Sequence, residues 1–231
     1  MSGTLYGVGI GPGDPELITL KAVRIIGRCP AIVVPKSGDG ERMALNIARQ
    51  ALPSLEGKQI IELDMPMTRD VAHLRLSHIR AADEIICFLK NNVDVAFLTL
   101  GDPSVYSTYI YVHRIVKEKG YKAEIIPGVP SFCAVSARLG DGLVETSQAL
   151  HIIPGSYGDL DDQLLLSGTK VLMKCGKSFS EVQQKLRDAG LSQNAKMVEN
   201  CGLVTEHVYD SLEDADLSAG YFSVIVIKDD Q

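Results

Sequence analysis

The sequence predicts an α/β protein made of two α/β domains with a cleft between them. Short apolar segments of strand length, such as residues 5–10 and 93–100, alternate with amphipathic segments of helical period along the 231 residues. Two of the strand segments end in Gly-Asp-Pro, which is typical of a strand that turns into a helix. No long linker interrupts the alternation. The pattern therefore predicts adjoining domains at 1–126 and 127–231.

The first domain is predicted to alternate strands with helices. Its strands are predicted at residues 5–10, 31–35, 59–63, 93–100 and 123–128. Its helices are predicted from Asp14 to about Gly27, from about 42 to 51, from a segment that begins at 66 through about 91, and from Asp102 to about 119. Asp14 and Asp102 each stand directly before proline, and this pair favours a helix N-terminus.

The second domain repeats the alternation with fewer glycines. Strands are predicted over residues 149–155, 169–174, 195–202 and 221–228. Ser178 stands three residues before Glu181, a spacing that predicts a capping box ahead of the helical segment 181–190. The second half thus carries its own set of α/β elements, as the two-domain interpretation requires.

The charge balance and hydropathy exclude several classes of partner. The formal net charge is −6, so no nucleic-acid-binding surface is expected, and an acidic substrate would need a local basic patch. Lys36, which follows the strand at 31–35, is the preferred candidate for that contact. The apolar runs are too short to span a membrane and the start lacks a signal-peptide pattern, so we expect a cytoplasmic protein without a membrane partner.

The cysteines and histidines do not predict a metal site. The five cysteines stand at 29, 87, 133, 175 and 201, without a C-x-x-C pair, and the five histidines are scattered. An odd number at these spacings suits neither a disulfide framework nor a zinc site. We therefore expect free thiols in a reducing compartment and no metal ion held by the protein.

Four glycines in or just after the first strand, at 7, 9, 11 and 13, raise the question of a nucleotide site. The dinucleotide pattern G-x-G-x-x-G fails, because its sixth position falls on Pro12 when counted from Gly7 and on Asp14 when counted from Gly9. No Gly-Lys-Ser/Thr follows, so a P-loop is excluded as well. The glycines indicate either close approach of the backbone to a ligand or a tight turn without one.

Five stretches in chain order resemble the motifs of a known family. They are VGIGPGDPELITLKA (8–22), TLGDPSVYST (99–108), IPGVPSF (126–132), VLMKCGK (171–177) and MVENCG (197–202). The set resembles the tetrapyrrole methylase family, whose members transfer a methyl group from S-adenosylmethionine to corrin and sirohaem precursors. With MTRD (67–70), the wording is most similar to the members that methylate C20 of precorrin-2 or cobalt-factor II in cobalamin synthesis.

The resemblance implies a fold, an activity and partners. It implies two α/β domains that flank a deep active-site trough, S-adenosylmethionine as methyl donor with S-adenosylhomocysteine as product, a tetrapyrrole substrate and a homodimer. Two alternatives stay open: methylation of another ring carbon, and a methylase of diphthamide type that modifies a protein side chain. The sequence of residues 64–80 favours methylation at C20. A non-catalytic nucleotide-binding module is disfavoured by the broken glycine patterns.

The resemblance also implies site residues by their places in the motifs. The methionine end of the cofactor is expected near Leu100, Gly101, Asp102, Val105, Tyr106, Pro130, Ser131 and Phe132, with Pro12 close to the cofactor as well. The adenine side is expected near Met173, Lys174, Cys175, Cys201 and Gly202. The tetrapyrrole is expected to face Gly11, Gly13 and Asp14. No residue is singled out as a catalytic acid or base.

Three of these residues also admit plain structural or chemical alternatives. Asp102 is either the N-cap of the helix that follows it or an acceptor for an ammonium or hydroxyl group of the cofactor. Cys175 and Cys201 are interpreted as small wall residues whose backbone bonds the adenine. They are not interpreted as nucleophiles, because no histidine stands beside either in sequence and methyl transfer from a sulfonium needs no covalent enzyme intermediate.

Overall fold

The computed structural model describes residues 2–36, 42–66, 68–156, 159–215 and 222–229. The chain divides into a first unit, Met1–Pro130, and a second unit, Ser131–Gln231, each built on its own five-stranded sheet. The predicted α/β fold class is confirmed. The domain boundary after residue 126 stays a prediction. Met67 of the MTRD stretch and the first residue of the 221–228 segment lie outside the described residues.

The first unit is a parallel sheet connected by helices. Its strands are β1 (Thr4–Gly9), β2 (Ala31–Lys36), β3 (Gln59–Asp64), β4 (Val95–Thr99) and β5 (Lys122–Ile126). Its helices are α1 (Leu20–Arg28), α2 (Met43–Ala51), α3 (Val71–Lys90) and α4 (Tyr109–Glu118). The strand order is β3-β2-β4-β1-β5, and every neighbouring pair is parallel. All five strands therefore end at one edge of the sheet, and α/β sheets bind ligands at this edge.

One hydrophobic core of the first unit lies between its central strands and helices α3 and α4. Strand residues such as Val95 and Phe97 are fully or almost fully buried against Leu89 of α3 and Tyr109 of α4. A Cβ at Gly7 would lie 2.1 Å from the Tyr109 ring. Glycine at this position of β1 therefore makes room for a core aromatic side chain.

The predicted start of the first helix is wrong by about one and a half turns. The Asp14 carboxylate accepts from the Glu16 backbone N–H at 2.8 Å, but it caps a 3-10 turn of three residues, Pro15–Leu17. The chain is extended at Ile18, and Thr19 then caps α1 by accepting from the Ala22 N–H. A second capping side chain five residues later thus sets the true N-terminus. Gly27 lies inside α1 and does not end it.

The predicted helix after Asp102 also begins later, at Tyr109. Residues 102–108 form a loop in which Tyr106 has a φ of +48°, a left-handed conformation that interrupts a helix. The long helix predicted through about residue 91 is confirmed as α3. Its N-cap is Asp70, whose carboxylate accepts from the N–H groups of Ala72 and His73.

The second unit has a mixed sheet. Its strands are β6 (Leu150–Pro154), β7 (Thr169–Met173), β8 (Ala195–Glu199), β9 (His207–Tyr209) and β10 (Ser223–Ile227), and its helices are α5 (Ser131–Leu139), α6 (Leu160–Leu164) and α7 (Phe179–Asp188). The strand order is β6-β7-β10-β8-β9, with β10 antiparallel to both of its neighbours. Because β7 and β8 flank β10 in this way, they point in the same direction and end at the same edge.

The second unit confirms four predicted strands and corrects one cap. The sequence did not predict α5, α6 or the short strand β9. Ser178 closes a 3-10 turn at Gly176–Ser178, with φ −94° and ψ 9°, which is not the extended conformation of an N-cap. The predicted capping box with Glu181 is therefore wrong. Across the described residues, no helix combines the length and the apolar character that crossing a membrane requires.

Candidate functional site

The first cluster of predicted site residues lies at the carboxyl edge of the first sheet. The loops after β1 and β4 leave neighbouring strands and are joined by a two-residue bridge. The Gly101 N–H donates to the Gly11 carbonyl at 2.8 Å, and the Gly11 N–H donates to the Gly101 carbonyl at 3.4 Å. The structure thus brings the loop of Pro12 beside Gly101 and Asp102. Residues 127–130 follow β5, the other neighbour of β1.

Two glycines, Gly9 and Gly128, let these loops approach each other without side chains between them. A Cβ on Gly9 would lie 2.6 Å from the Gly101 carbonyl oxygen and 2.7 Å from the Gly128 nitrogen. A Cβ on Gly128 would lie 2.2 Å from the same Gly101 oxygen. Real Cβ atoms are not found this close to backbone atoms, so glycine is required for this geometry. The close approach made by Gly9 is therefore to the protein's own backbone.

Asp102 joins two of these loops through its carboxylate. Its side chain is buried, and one carboxylate oxygen accepts from the Ser104 N–H at 2.7 Å while the other accepts from the Gly128 N–H at 2.9 Å. The Ser104 hydroxyl also bonds the first of these oxygens. Asp102 does not cap an α-helix, because α4 begins only at Tyr109. Its observed role is to hold the loop after β5 against the loop after β4.

The other predicted residues of the first unit occupy the same edge with varied exposure. Pro12, Gly11 and Gly13 are buried, and Leu100, Val105 and Pro130 are half-buried. The Tyr106 side chain is 42% exposed, and partial burial raises the pKa of its phenol. The phenol therefore remains protonated at neutral pH, on a residue that is partly open to solvent.

The predicted substrate contacts Asp14 and Lys36 lie at the ends of different strands: Asp14 in the loop after β1 and Lys36 at the end of β2. Asp14 is half-buried after β1, where its carboxylate caps the 3-10 turn. Lys36 is the exposed last residue of β2, and β4 lies between β2 and β1. The cation and the glycine loop are thus separated by the β4 loop that carries Gly101.

The second cluster lies at one edge of the second sheet. Val224 at the start of β10 pairs with Met173 on one side and Val198 on the other. The segments that follow, Met173–Cys175 and Cys201–Gly202, therefore flank the same strand. Lys174 has a φ of +58°, so the chain turns sharply after β7 without a glycine at that position.

Cys175 is a buried thiol without the electrostatics of a nucleophile. Its side chain is fully buried, and burial raises its pKa to about 12. A Cβ on Gly155, the residue after β6, would lie 2.7 Å from its sulfur. The thiol therefore stays protonated at neutral pH and fills space beside Gly155.

The turn that contains Cys201 and Gly202 is held by a carboxylate that the sequence did not single out. Glu206 accepts from the Gly202 N–H at 2.8 Å and pairs with the Arg138 guanidinium. First the Gly202 N–H and then Arg138 hold the pKa of this carboxyl below its usual range. Arg138 lies in the last turn of α5, whose first residues are Ser131 and Phe132. In the sequence, the one sign of this contact was a glutamate four residues after Gly202, which is close enough to fold back onto its N–H.

The described residues do not offer a metal site. Among them, no three His, Cys, Asp or Glu side chains lie close enough together to hold an ion. No disulfide joins the cysteines of the described part of the chain, and Cys29, Cys175 and Cys201 are buried.

The strand edges define the class of protein: an α/β protein with backbone-lined loops at the ends of its strands, where small ligands bind. The chain belongs to the family of Tetrapyrrole (Corrin/Porphyrin) Methylases, whose model matches residues 4–216. The family predicted from the sequence motifs is therefore confirmed.

Two curated relatives and one solved structure illustrate the likeness. The chain is 33% identical over 236 residues to the cobalamin biosynthesis protein CobIJ of Mycobacterium tuberculosis. This alignment covers 97% of the chain and 46% of CobIJ, so the chain spans about half the length of that relative. It is 31% identical over 232 residues to the cobalt-precorrin-2 C(20)-methyltransferase of Salmonella typhimurium, covering 98% and 97% of the two chains. The uroporphyrin-III C-methyl transferase of Thermus thermophilus, complexed with S-adenyl homocysteine, has a TM-score of 0.70 at 20% identity over 98% of each chain and shares the fold.

Proposed function

We propose that the chain is an S-adenosylmethionine-dependent methyltransferase that methylates C20 of precorrin-2 or cobalt-factor II in cobalamin biosynthesis. The observation that carries the proposal is the likeness to the Salmonella C(20)-methyltransferase over almost the full length of both chains. The Thermus relative, named as a complex with S-adenyl homocysteine, supports the choice of methyl donor. We further propose a cytoplasmic homodimer.

The first loop cluster is proposed to bind the methionine end of the cofactor. Gly101 bridges to Gly11 beside Pro12 at the strand edge, and Tyr106 on the same loop as Gly101 is 42% exposed. Both Asp102 oxygens already accept from protein donors, but a carboxylate has about four acceptor positions, so capacity for an ammonium or hydroxyl group is left. Asp102 would thus orient the loops and accept from the ligand with the same group.

The second loop cluster is proposed to bind the adenine side. Met173 ends β7 and Lys174 follows it, while Cys201 and Gly202 follow β8, so both segments lie at one sheet edge. The buried Cys175 thiol packs behind this edge. Phe132, buried in the first turn of α5, adds an apolar aromatic surface in the same unit. Backbone polar groups beside apolar side chains suit a flat purine ring.

The reaction needs alignment more than acid–base chemistry. Bound S-adenosylmethionine would supply a methyl group already activated on a sulfonium, and its carbon–sulfur bond would break as C20 of the macrocycle forms the new bond. The electron pair would leave with the sulfur as a neutral thioether, and a base, to which no residue is assigned, would take the proton of C20. The task of Gly101, Asp102 and their neighbouring loops is to hold donor and acceptor in line and exclude water. Such positioning is worth roughly 7–11 kcal/mol in well-oriented reactions.

The acidic substrate requires local positive charge on a protein of net charge −6. Lys36 is exposed at the same sheet edge as the glycine loop, and we propose that it pairs with a substrate carboxylate. Lys36→Gln should raise the KM for the tetrapyrrole several-fold, in line with the loss of one charge-assisted contact, and leave the affinity for S-adenosylmethionine unchanged. The matched control is Lys90→Gln at the end of α3. An equal change in both variants would contradict the assignment.

The activity itself is tested by methyl transfer to a defined substrate. The purified protein is incubated with S-adenosylmethionine and either metal-free or cobalt-loaded dimethylated precursor, and the product is examined by mass spectrometry. A gain of one methyl mass, located at C20 by NMR with a labelled methyl group, is expected. No gain with either substrate would overturn the proposal, and a label on another ring carbon would reassign the position. A sizing measurement tests the homodimer.

A further inference from the structure

A single carboxylate organises the turn that follows β8. This turn runs from Asn200 to Glu206 and is closed by backbone bonds from Leu203 to Asn200 and from Glu206 to Leu203, both 2.9 Å. The Glu206 side chain folds back and accepts from the Gly202 N–H at 2.8 Å, and the Cys201 thiol bonds the same carboxylate. The orientation of the Cys201–Gly202 segment is therefore fixed from one side chain.

The partner of this carboxylate comes from a different element. The Arg138 guanidinium donates through Nε to the other Glu206 oxygen. Arg138 lies two turns after Ser131 and Phe132 on α5, and this helix packs against β10. The ion pair thus connects the helix that begins with two proposed cofactor contacts to the turn that carries two others.

The two side chains of this ion pair differ in their exposure to water. The Glu206 side chain is 21% exposed and the Arg138 side chain 53%, so Glu206 is the more sheltered partner of the pair. Withdrawing a carboxylate even partly from water costs free energy unless donors satisfy it, and here backbone, thiol and guanidinium donors do so. Loss of either partner would leave the turn free to shift relative to α5.

We propose that Arg138 and Glu206 form a positioning pair that sets the Cys201–Gly202 turn against α5 for binding of the cofactor's adenosine. The inference rests on the proposed function, because it uses the proposed contacts of that cofactor. Glu206 acts through Gly202, and Arg138 acts through Glu206 and α5. Both are positioning residues, since neither is itself assigned a contact with the ligand.

The test compares this pair with a second Arg–Glu pair of the same unit. Arg187 at the end of α7 donates to both Glu213 oxygens, at 3.0 and 3.2 Å, in an exposed setting. Affinity for S-adenosylhomocysteine is measured by calorimetry for the wild type, Glu206→Gln and Glu213→Gln. Glu206→Gln should weaken binding on the order of tenfold, the effect expected from loss of a charge-assisted bond, and Glu213→Gln should not.

Kinetics and a conservative variant separate positioning from simple loss of stability. Glu206→Gln should raise the KM for S-adenosylmethionine and leave kcat nearly unchanged. Arg138→Lys keeps a cation and should recover most of the affinity that Arg138→Gln loses. Unchanged affinity in Glu206→Gln, or equal losses in Glu206→Gln and Glu213→Gln, would overturn the proposal. If Glu206→Gln does not fold, the Arg138 variants decide the question by the same criteria, because Arg138 is half exposed.

A measurement without ligand keeps this inference separate from the proposed function. Amide hydrogen exchange of Gly202 should be accelerated in Glu206→Ala and unchanged in Glu213→Ala, because only the first variant removes the acceptor of that N–H. Equal protection of Gly202 in both variants would overturn the positioning role. Failure of the wild type to bind S-adenosylhomocysteine would instead refute the proposed function, and the exchange data would still decide whether the pair positions the turn.

Discussion

The two loop clusters reach similar places by different means. In the first unit, Gly9, Gly101 and Gly128 bring three backbone segments into direct contact. In the second unit, side chains set the geometry: the Arg138–Glu206 pair holds the turn after β8 from outside. The first cluster depends on glycine, which has no side chain to keep the loops apart. The second depends on an ion pair between two partly exposed side chains.

This difference teaches how each cluster should respond to change. Backbone atoms in contact cannot move apart without disturbing the strands that carry them, so the first cluster should be intolerant of added atoms. A partly exposed ion pair in the second cluster contributes less free energy and depends on the protonation of its carboxyl. The following experiments test this contrast, starting from the largest expected effect.

Gly128→Ala should cause the largest loss. The new Cβ would lie 2.2 Å from the Gly101 carbonyl oxygen, which is fixed in the backbone, so the loops after β4 and β5 would have to separate. We expect the free energy of unfolding to fall by about 3 kcal/mol, at the upper end for overpacking, as measured by urea denaturation.

The matched control for Gly128→Ala is Gly27→Ala. Among the described residues, a Cβ at this position in α1 would meet no heavy atom within 4 Å. Alanine should stabilise the helix by about 0.5–1 kcal/mol. Similar losses in the two variants would show that close backbone contact is not what constrains the first cluster.

Asp102→Ala should have the next largest effect. The variant leaves the Gly128 N–H without the acceptor seen at 2.9 Å, and a partly buried donor without a partner costs about 1–2 kcal/mol. Ser104→Ala is the control, because it keeps the bond to Gly128 and should change the unfolding free energy by less than about 0.5 kcal/mol.

The same Asp102→Ala variant separates the two roles considered for this carboxylate. A ligand role predicts a strong rise in the KM for S-adenosylmethionine in addition to the loss of stability. Lower thermal stability with unchanged cofactor affinity would leave only the structural role. We expect both effects, because the carboxylate keeps acceptor capacity beyond its two backbone donors.

Gly155→Ala should be milder than Gly128→Ala although it also adds a Cβ at close range. The contact, at 2.7 Å, is with the Cys175 sulfur, which can move by rotation of its side chain. We expect a loss of about 1 kcal/mol in urea denaturation. Cys175→Ala in the same chain should restore most of that loss by removing the sulfur. A loss that persists in the double variant would place the strain in the backbone.

The sequence was most informative where a pattern is local or the strand is fully buried. β4 and β10 were predicted because short, continuous apolar runs are typical of buried strands, and their burial is complete or nearly so. The starts of α1 and α4 were missed because Asp14 and Asp102 bond nearby backbone N–H groups in turns, and a capping side chain alone does not reveal which turn it closes.

The sequence predicted which motifs belong to the candidate site, but it did not predict which residues of different motifs are in contact. The motifs placed Gly101 and Asp102 together because they are adjacent in sequence. The bond from Gly128 to Asp102 and the bond from Arg138 to Glu206 join residues 26 and 68 positions apart, and no spacing rule connects them. Partners of this kind depend on the sheet order, which a single sequence does not provide.

The smallest predicted effect is a difference in acid sensitivity between the units. In the first unit, His78 is buried and stacks on Tyr111 with ring centroids 4.8 Å apart, and burial lowers its pKa. The unfolded state therefore binds more protons than the folded state as the pH falls below about 6.5, and stability declines from there. In the second unit, the pKa of Glu206 is lowered, so its contribution is retained until the pH falls below about 4.3.

Hydrogen exchange read by mass spectrometry at pH 7 and pH 5.5 resolves the two units. After correction for intrinsic rates, peptides of α3 and α4 should lose protection between these pH values, while peptides of β8 and its following turn should not. His113 adds to the effect, since burial and then Lys117 and Arg114 lower its pKa as well. His78→Phe keeps an aromatic ring against Tyr111 and removes one titrating group, so the pH dependence of α3 should shrink. An unchanged pH dependence of α3 in this variant, or equal losses of protection in both units, would contradict the predicted difference in acid sensitivity.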